Sequence, residues 1–79
     1  MDSASLTYDE LNSLPVFRKT SEENAFMCAI CINKIESQEL FRILPNCNHK
    51  FHKHCIDQWL MIAPKCPECR SNLRLLLNN

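Results

Sequence analysis

Apolar positions are thinly spread at the start of the chain and cluster with recognisable periods further on. Thr7-x-x-Glu10 has the spacing of a capping box, with Leu6 and Leu11 at the positions of a hydrophobic staple across it. A short helix is therefore predicted from about Tyr8 to Ser13, ended by Pro15. Val16 and Phe17 are then free to lie against the rest of the chain, whereas Lys19 to Asn24 is polar and predicted to be loose. Leu40-Phe41-Arg42-Ile43-Leu44 reads as a short strand, paired in a hairpin with residues near Lys50 and Phe51. From Lys53 to about Ile62 the period turns helical: Ile56, Trp59 and Leu60 share one face, while Lys53, Asp57 and Gln58 point elsewhere, and Pro64 stops the run. Leu73 to Leu77 fits either a closing strand or a last helical turn, and as an exposed apolar strip it is a candidate for self-association. No internal repeat is present, and with no glycine the tight turns must rely on Asn, Ser and Pro.

A chain of 79 residues buries little apolar surface. Ordering each residue costs roughly 1–2 kcal/mol, and cores of this size seldom leave more than about 3–5 kcal/mol without a staple. The six cysteines and three histidines are the candidates to supply one. The formal charge is zero with Lys and Arg scattered, so the electrostatic footprint of a nucleic-acid binder is missing. The first residues, Met1-Asp2-Ser3-Ala4-Ser5, do not have the form of a secretory signal. Apolar runs such as Trp59 to Ala63 and Leu75 to Leu77 fall far below the ~20 residues of a membrane span. A soluble protein of the cytoplasm or nucleus is expected, and membrane attachment would need a segment outside this sequence.

Cysteine first appears at position 28 and then recurs in a ladder: Cys28-x2-Cys31, fifteen residues, Cys47-x-His49-x2-His52-x2-Cys55, ten residues, Cys66-x2-Cys69. An x2 spacer lets two side chains turn back onto one ion, and Zn²⁺ takes Cys sulfur and His nitrogen in closed four-coordinate sites. Eight ligands make two such sites and use every cysteine. His54 is left over, because it abuts Cys55 without a chelating spacer. Six thiolates against two Zn²⁺ ions take the formal charge to about −2, further from a DNA or RNA partner.

The Cys-His-His-Cys centre of the ladder resembles the RING-H2 family. Pro45-x-Cys47, Phe51 between the two histidines, Trp59 four residues after Cys55, and Cys66-Pro67-x-Cys69-Arg70 extend the likeness, with spacings similar to the plant ATL group. The resemblance spans Cys28 to Arg70. It implies a small α+β zinc-stabilised domain, a cross-brace with a short β-hairpin, one central helix and two zinc loops. Residues 1–27 form a flank, 28–70 the domain and 71–79 a tail. In the cross-brace, Cys28, Cys31, His52 and Cys55 would hold the first zinc, and Cys47, His49, Cys66 and Cys69 the second. Two structural zinc ions, each worth about 10–16 kcal/mol in small finger peptides, would compensate for the small core.

The resemblance also implies a function: an E3 ubiquitin ligase that binds a ubiquitin-charged E2 and promotes transfer to a substrate lysine without a covalent intermediate of its own. Ile30, Trp59 and Pro67 would form the shallow E2-binding groove, and Arg70 would be the linchpin that contacts E2 and ubiquitin together. The plainer alternatives are that Trp59 is a core residue and Arg70 a surface charge offsetting the thiolates. A non-catalytic RING serving as an adaptor or dimerisation module is the competing class. A three-disulfide scaffold would leave the histidine register to chance. A DNA-binding finger built on Cys28, Cys31, His49 and His52 fails on spacing, with seventeen residues between the pairs where about twelve are expected. A PHD-type histone reader has one histidine, at the fifth ligand position, whereas this chain has histidines at the fourth and fifth.

Overall fold

The computed structural model describes residues 5–74. Its first element, α1 (Tyr8–Asn12), is closed at the N-terminus by the reciprocal box: the Thr7 hydroxyl accepts from Glu10 N–H at 3.1 Å, and the Glu10 carboxylate accepts from Thr7 N–H at 2.8 Å. Ser13 is the C-cap, so the helix ends one residue earlier than expected. Leu6, Leu11 and Leu14 are buried in the same apolar cluster as Phe51, Ile56 and Leu60, and Leu6 N–H donates to the Leu60 carbonyl at 3.1 Å. The flank thus supplies part of the core.

Val16 and Phe17 do lie against the later residues, as a strand. β1 (Val16–Arg18) pairs antiparallel with β4 (Leu40–Ile43), placing Phe17 opposite Phe41 with ring centroids 5.7 Å apart. β4 in turn pairs with β5 (Lys50–His52), the expected hairpin, giving a three-stranded sheet in the order β1-β4-β5. A second ladder joins β2 (Met27–Cys28) to β3 (Asn33–Lys34). The two-residue strands of that ladder are too short to leave an alternation in the sequence.

Lys19 to Asn24 is organised where a loose segment was expected. Lys19 is buried, and its ammonium donates to the carbonyls of Thr20 at 2.9 Å and Glu23 at 3.2 Å. The same ammonium lies 5.6 Å from the Phe26 ring centroid. A buried charge must be hydrogen-bonded, and wrapping the chain around it satisfies that need.

The second helix, α2 (Lys53–Leu60), ends two residues before the expected Ile62; Ile62 and Ala63 N–H both donate to the Trp59 carbonyl at 2.9 Å, tightening the exit. Ile56 and Leu60 are fully buried and Trp59 is half-buried against them. Asp57, expected to point away from the fold, is turned inward to Arg42. Leu73, expected in an exposed strip, is fully buried and donates its N–H to the Pro64 carbonyl at 2.7 Å, next to a bridge between Lys65 and Asn72. Residues 75–77 of that expected strip lie outside the described residues.

Candidate metal centres

The local backbone explains how x2 pairs converge without glycine. Ile32, directly after Cys31, has φ 64° and donates its N–H to the Cys28 carbonyl at 2.8 Å. Arg70, directly after Cys69, repeats this with φ 65° and a 2.8 Å bond to the Cys66 carbonyl. Each left-handed residue folds the chain back so that two thiols face one point. For a β-branched side chain such as Ile32 this conformation is a true outlier, costing of order 1–3 kcal/mol that the surrounding structure must hold. Asn48, with φ 64°, reverses the chain between Cys47 and His49, a position where asparagine is better tolerated. His52 closes β5 and is the N-cap of α2, yet its side chain makes no capping bond because it turns to the cysteines.

Two groups result. The ligand atoms of Cys28, Cys31, His52 and Cys55 lie within 4.8 Å of one another, and so do those of Cys47, His49, Cys66 and Cys69. In the first, Cys31 Sγ is 3.3 Å from His52 Nδ1; in the second, Cys66 Sγ is 3.3 Å from His49 Nδ1. A tetrahedron with Zn–S near 2.3 Å and Zn–N near 2.0 Å has an S···N edge of about 3.5 Å, so the donor sets fit the ion. Each group can hold one zinc, and their ligands interleave along the chain: the first joins β2, β5 and α2, and the second joins the turn before β5 to the loop after α2. His54 stands outside both groups, exposed, with Nε2 3.5 Å from Cys55 Sγ.

The thiols titrate unevenly. Burial and then the charge of Cys28 push Cys55 up to about 12, and burial pushes Cys66 up to about 11. The Ser71 hydroxyl, 3.1 Å from Cys69 Sγ, draws that thiol down to about 6. Cys28 comes down to about 7: burial opposes its ionisation, and the backbone N–H groups of Cys31, His52 and Ile30 outweigh it. Burial opposes charge on His52 too, but the Glu39 carboxylate and the thiols of Cys28 and Cys31 raise it to about 9. Crowded thiols of this kind ionise together only when a cation joins them. Outside the ligands, Glu39 Oε1 is 2.8 Å from His52 Nε2 and Glu68 Oε1 is 3.7 Å from His49 Nε2. Neither glutamate nor Ser71 was singled out from the sequence, where nothing in their spacing marks them.

Residues 26–70 match the family described as the Ring finger domain, more than half of the chain. The chain belongs to the RING finger family. Its RING-H2 character is shared with the crystal structure of the RING-H2 domain of Arabidopsis RMR1, which is 34% identical with a TM-score of 0.79, over 90% of this chain and 99% of that one. Among curated proteins it is similar to the RING-H2 finger protein ATL32 of Arabidopsis thaliana, 46% identical over 69 residues, covering 80% of this chain and 21% of that protein. It is also similar to the E3 ubiquitin-protein ligase ATL6 of the same plant, 56% identical over 46 residues, covering 58% of this chain and 12% of that protein. The chain therefore spans about a fifth or less of the length of these two relatives. In this RING domain Ile30, Trp59 and Pro67 are all partly exposed, and Arg70 is exposed. The Trp59 indole N–H donates to the Lys65 carbonyl at 2.6 Å, fixing the ring at the end of α2 beside the loop that carries Cys66. Among the described residues no helix is long and apolar enough to cross a membrane.

Proposed function

We propose that this RING domain acts as the E3 component of a ubiquitin ligase, in the cytoplasm or nucleus where charged E2 enzymes are found. It binds a ubiquitin-charged E2 through Ile30, Trp59 and Pro67 and holds the linked ubiquitin through Arg70 while a substrate lysine attacks the thioester. The observation that carries this reading is the state of those four residues: three apolar side chains left partly in solvent and an exposed arginine. Large half-buried aromatics dominate interface energetics, and a guanidinium can donate to carbonyls on two partners at once. Similarity to proteins named E3 ubiquitin-protein ligases supports it.

The covalent chemistry stays on the E2. All six cysteines of the chain fall in the two zinc-binding groups, so none is available as an acceptor for ubiquitin, and closed four-ligand sites offer no open position to a water. The domain's contribution is to restrict the freedom of ubiquitin so that the thioester is presented to the amine. Autoubiquitination of zinc-loaded protein with E1, ubiquitin, ATP and a panel of E2 enzymes tests this. Ubiquitin ladders that disappear with Arg70→Ala support the ligase; no ladder with any E2 turns the reading to a non-catalytic adaptor.

A further inference from the structure

We infer that Glu39 is the orienting carboxylate of the first metal centre, fixing the His52 ring so that Nδ1 faces the ion. The two ring nitrogens of His52 have separate duties in the structure. Nδ1 lies 3.3 Å from Cys31 Sγ, on the side where the four ligand atoms converge, and Nε2 lies 2.8 Å from Glu39 Oε1 on the opposite side. With Nδ1 given to a metal, Nε2 carries the proton and donates it to the carboxylate, which selects the tautomer and makes the ring a better donor to the ion.

Glu39 is itself held in place. Its Oε1 accepts from Glu36 N–H at 2.7 Å, its N–H donates to the Glu36 carbonyl at 3.0 Å, and its carbonyl accepts from Lys19 N–H at 2.9 Å. A residue directly before β4, anchored by backbone bonds to Glu36 and Lys19, therefore presents a fixed acceptor to the ring at the end of β5. The second centre has the same chemistry without the contact: Glu68 Oε1 is 3.7 Å from His49 Nε2, beyond hydrogen-bond reach. The effect of Glu39 is thus confined to one of the two ions.

Chelator challenge of the zinc-loaded full chain, followed with a colorimetric zinc indicator, reads this directly. The amide signals of Ile32 and Arg70 report the two centres separately. Glu39→Ala is expected to release one zinc equivalent roughly 10–100-fold faster, with the Ile32 signal lost first and the second equivalent unchanged. Glu39→Gln, which keeps an acceptor oxygen, recovers most of the loss, and in the native protein the ring ¹⁵N shifts show His52 bound through Nδ1 with a slowly exchanging Nε2–H. Release of both equivalents at the native rate from Glu39→Ala overturns the inference, as does equal acceleration of both, which would mean a general loosening of the fold. None of these readouts depends on ubiquitin transfer.

Discussion

The guanidinium of Arg42 is 1% exposed and grips both carboxylate oxygens of Asp57, Nε to Oδ1 at 2.6 Å and Nη2 to Oδ2 at 3.2 Å. Its remaining arm, Nη1, donates to the Leu14 carbonyl at 2.7 Å. One buried side chain thereby ties the sheet, the central helix and the flank together, and Lys53 adds an i,i+4 ammonium to Asp57 at 2.9 Å. The fork geometry of arginine suits this, since each of the three guanidinium nitrogens meets an acceptor.

Removing one partner leaves a buried charge without compensation, which typically costs about 3–5 kcal/mol. Asp57→Ala is expected near the lower end, about 3 kcal/mol, because the Asp57 carboxylate keeps some contact with water. Urea unfolding at fixed excess zinc measures it; a change below about 1 kcal/mol, the scale of an exposed pair, would mean the pair behaves as a surface ion pair.

Leu6 lies twenty residues before the family match begins, yet it is buried against the main core. Leu6→Ala should cost about 2–5 kcal/mol, as for other buried leucines, and lower the melting temperature of zinc-loaded protein. An unchanged melting curve would show that the flank is an appendage.

The capping box and the ligand ladder were legible because each is a local spacing: Thr7 to Glu10, Cys28 to Cys31, Cys66 to Cys69. The α2 face was legible for the same reason. What was not legible depends on residues far apart in the chain. Arg42 reads as one charge in a strand until α2 delivers Asp57 fifteen positions later, and Glu39 reads as one of several surface acids until β5 brings His52 beside it. β1 was missed as a strand because three residues, all exposed, leave no alternation, and its existence depends on pairing with β4. Ile32 in a left-handed turn contradicts its own propensity, and only closure of the metal loop accounts for it.

Zinc affinity should rise with pH. Near neutral pH, before the metal binds, His52 at about 9, Cys66 at about 11 and Cys55 at about 12 hold protons that zinc must displace. As pH falls through about 7 and then about 6, Cys28 and Cys69 take up protons as well, so more protons are displaced for the two ions and the dependence steepens. Competition against a zinc indicator from pH 8 to pH 5.5 checks the sign; affinity that is flat across this range would contradict the assignment of these thiols and imidazole as ligands.

Docking and transfer should separate by residue. Ile30→Ala and Trp59→Ala are expected to weaken E2 binding by about 1 kcal/mol or more each, the loss typical of interface anchors, while both zinc ions are retained. Titration of each variant with an isotope-labelled E2 measures it, and native affinity in both variants would remove these residues from the docking surface.

Single-turnover discharge of a purified ubiquitin-charged E2 onto free lysine, with native protein and Arg70→Ala compared at matched zinc content, reads the ligase function without a substrate protein. Native protein is expected to accelerate discharge, and Arg70→Ala to lose most of the acceleration while still binding the E2. Two-zinc native protein that accelerates discharge from no E2 would contradict the ligase function, and an Arg70→Ala variant with full acceleration would contradict the role given to Arg70.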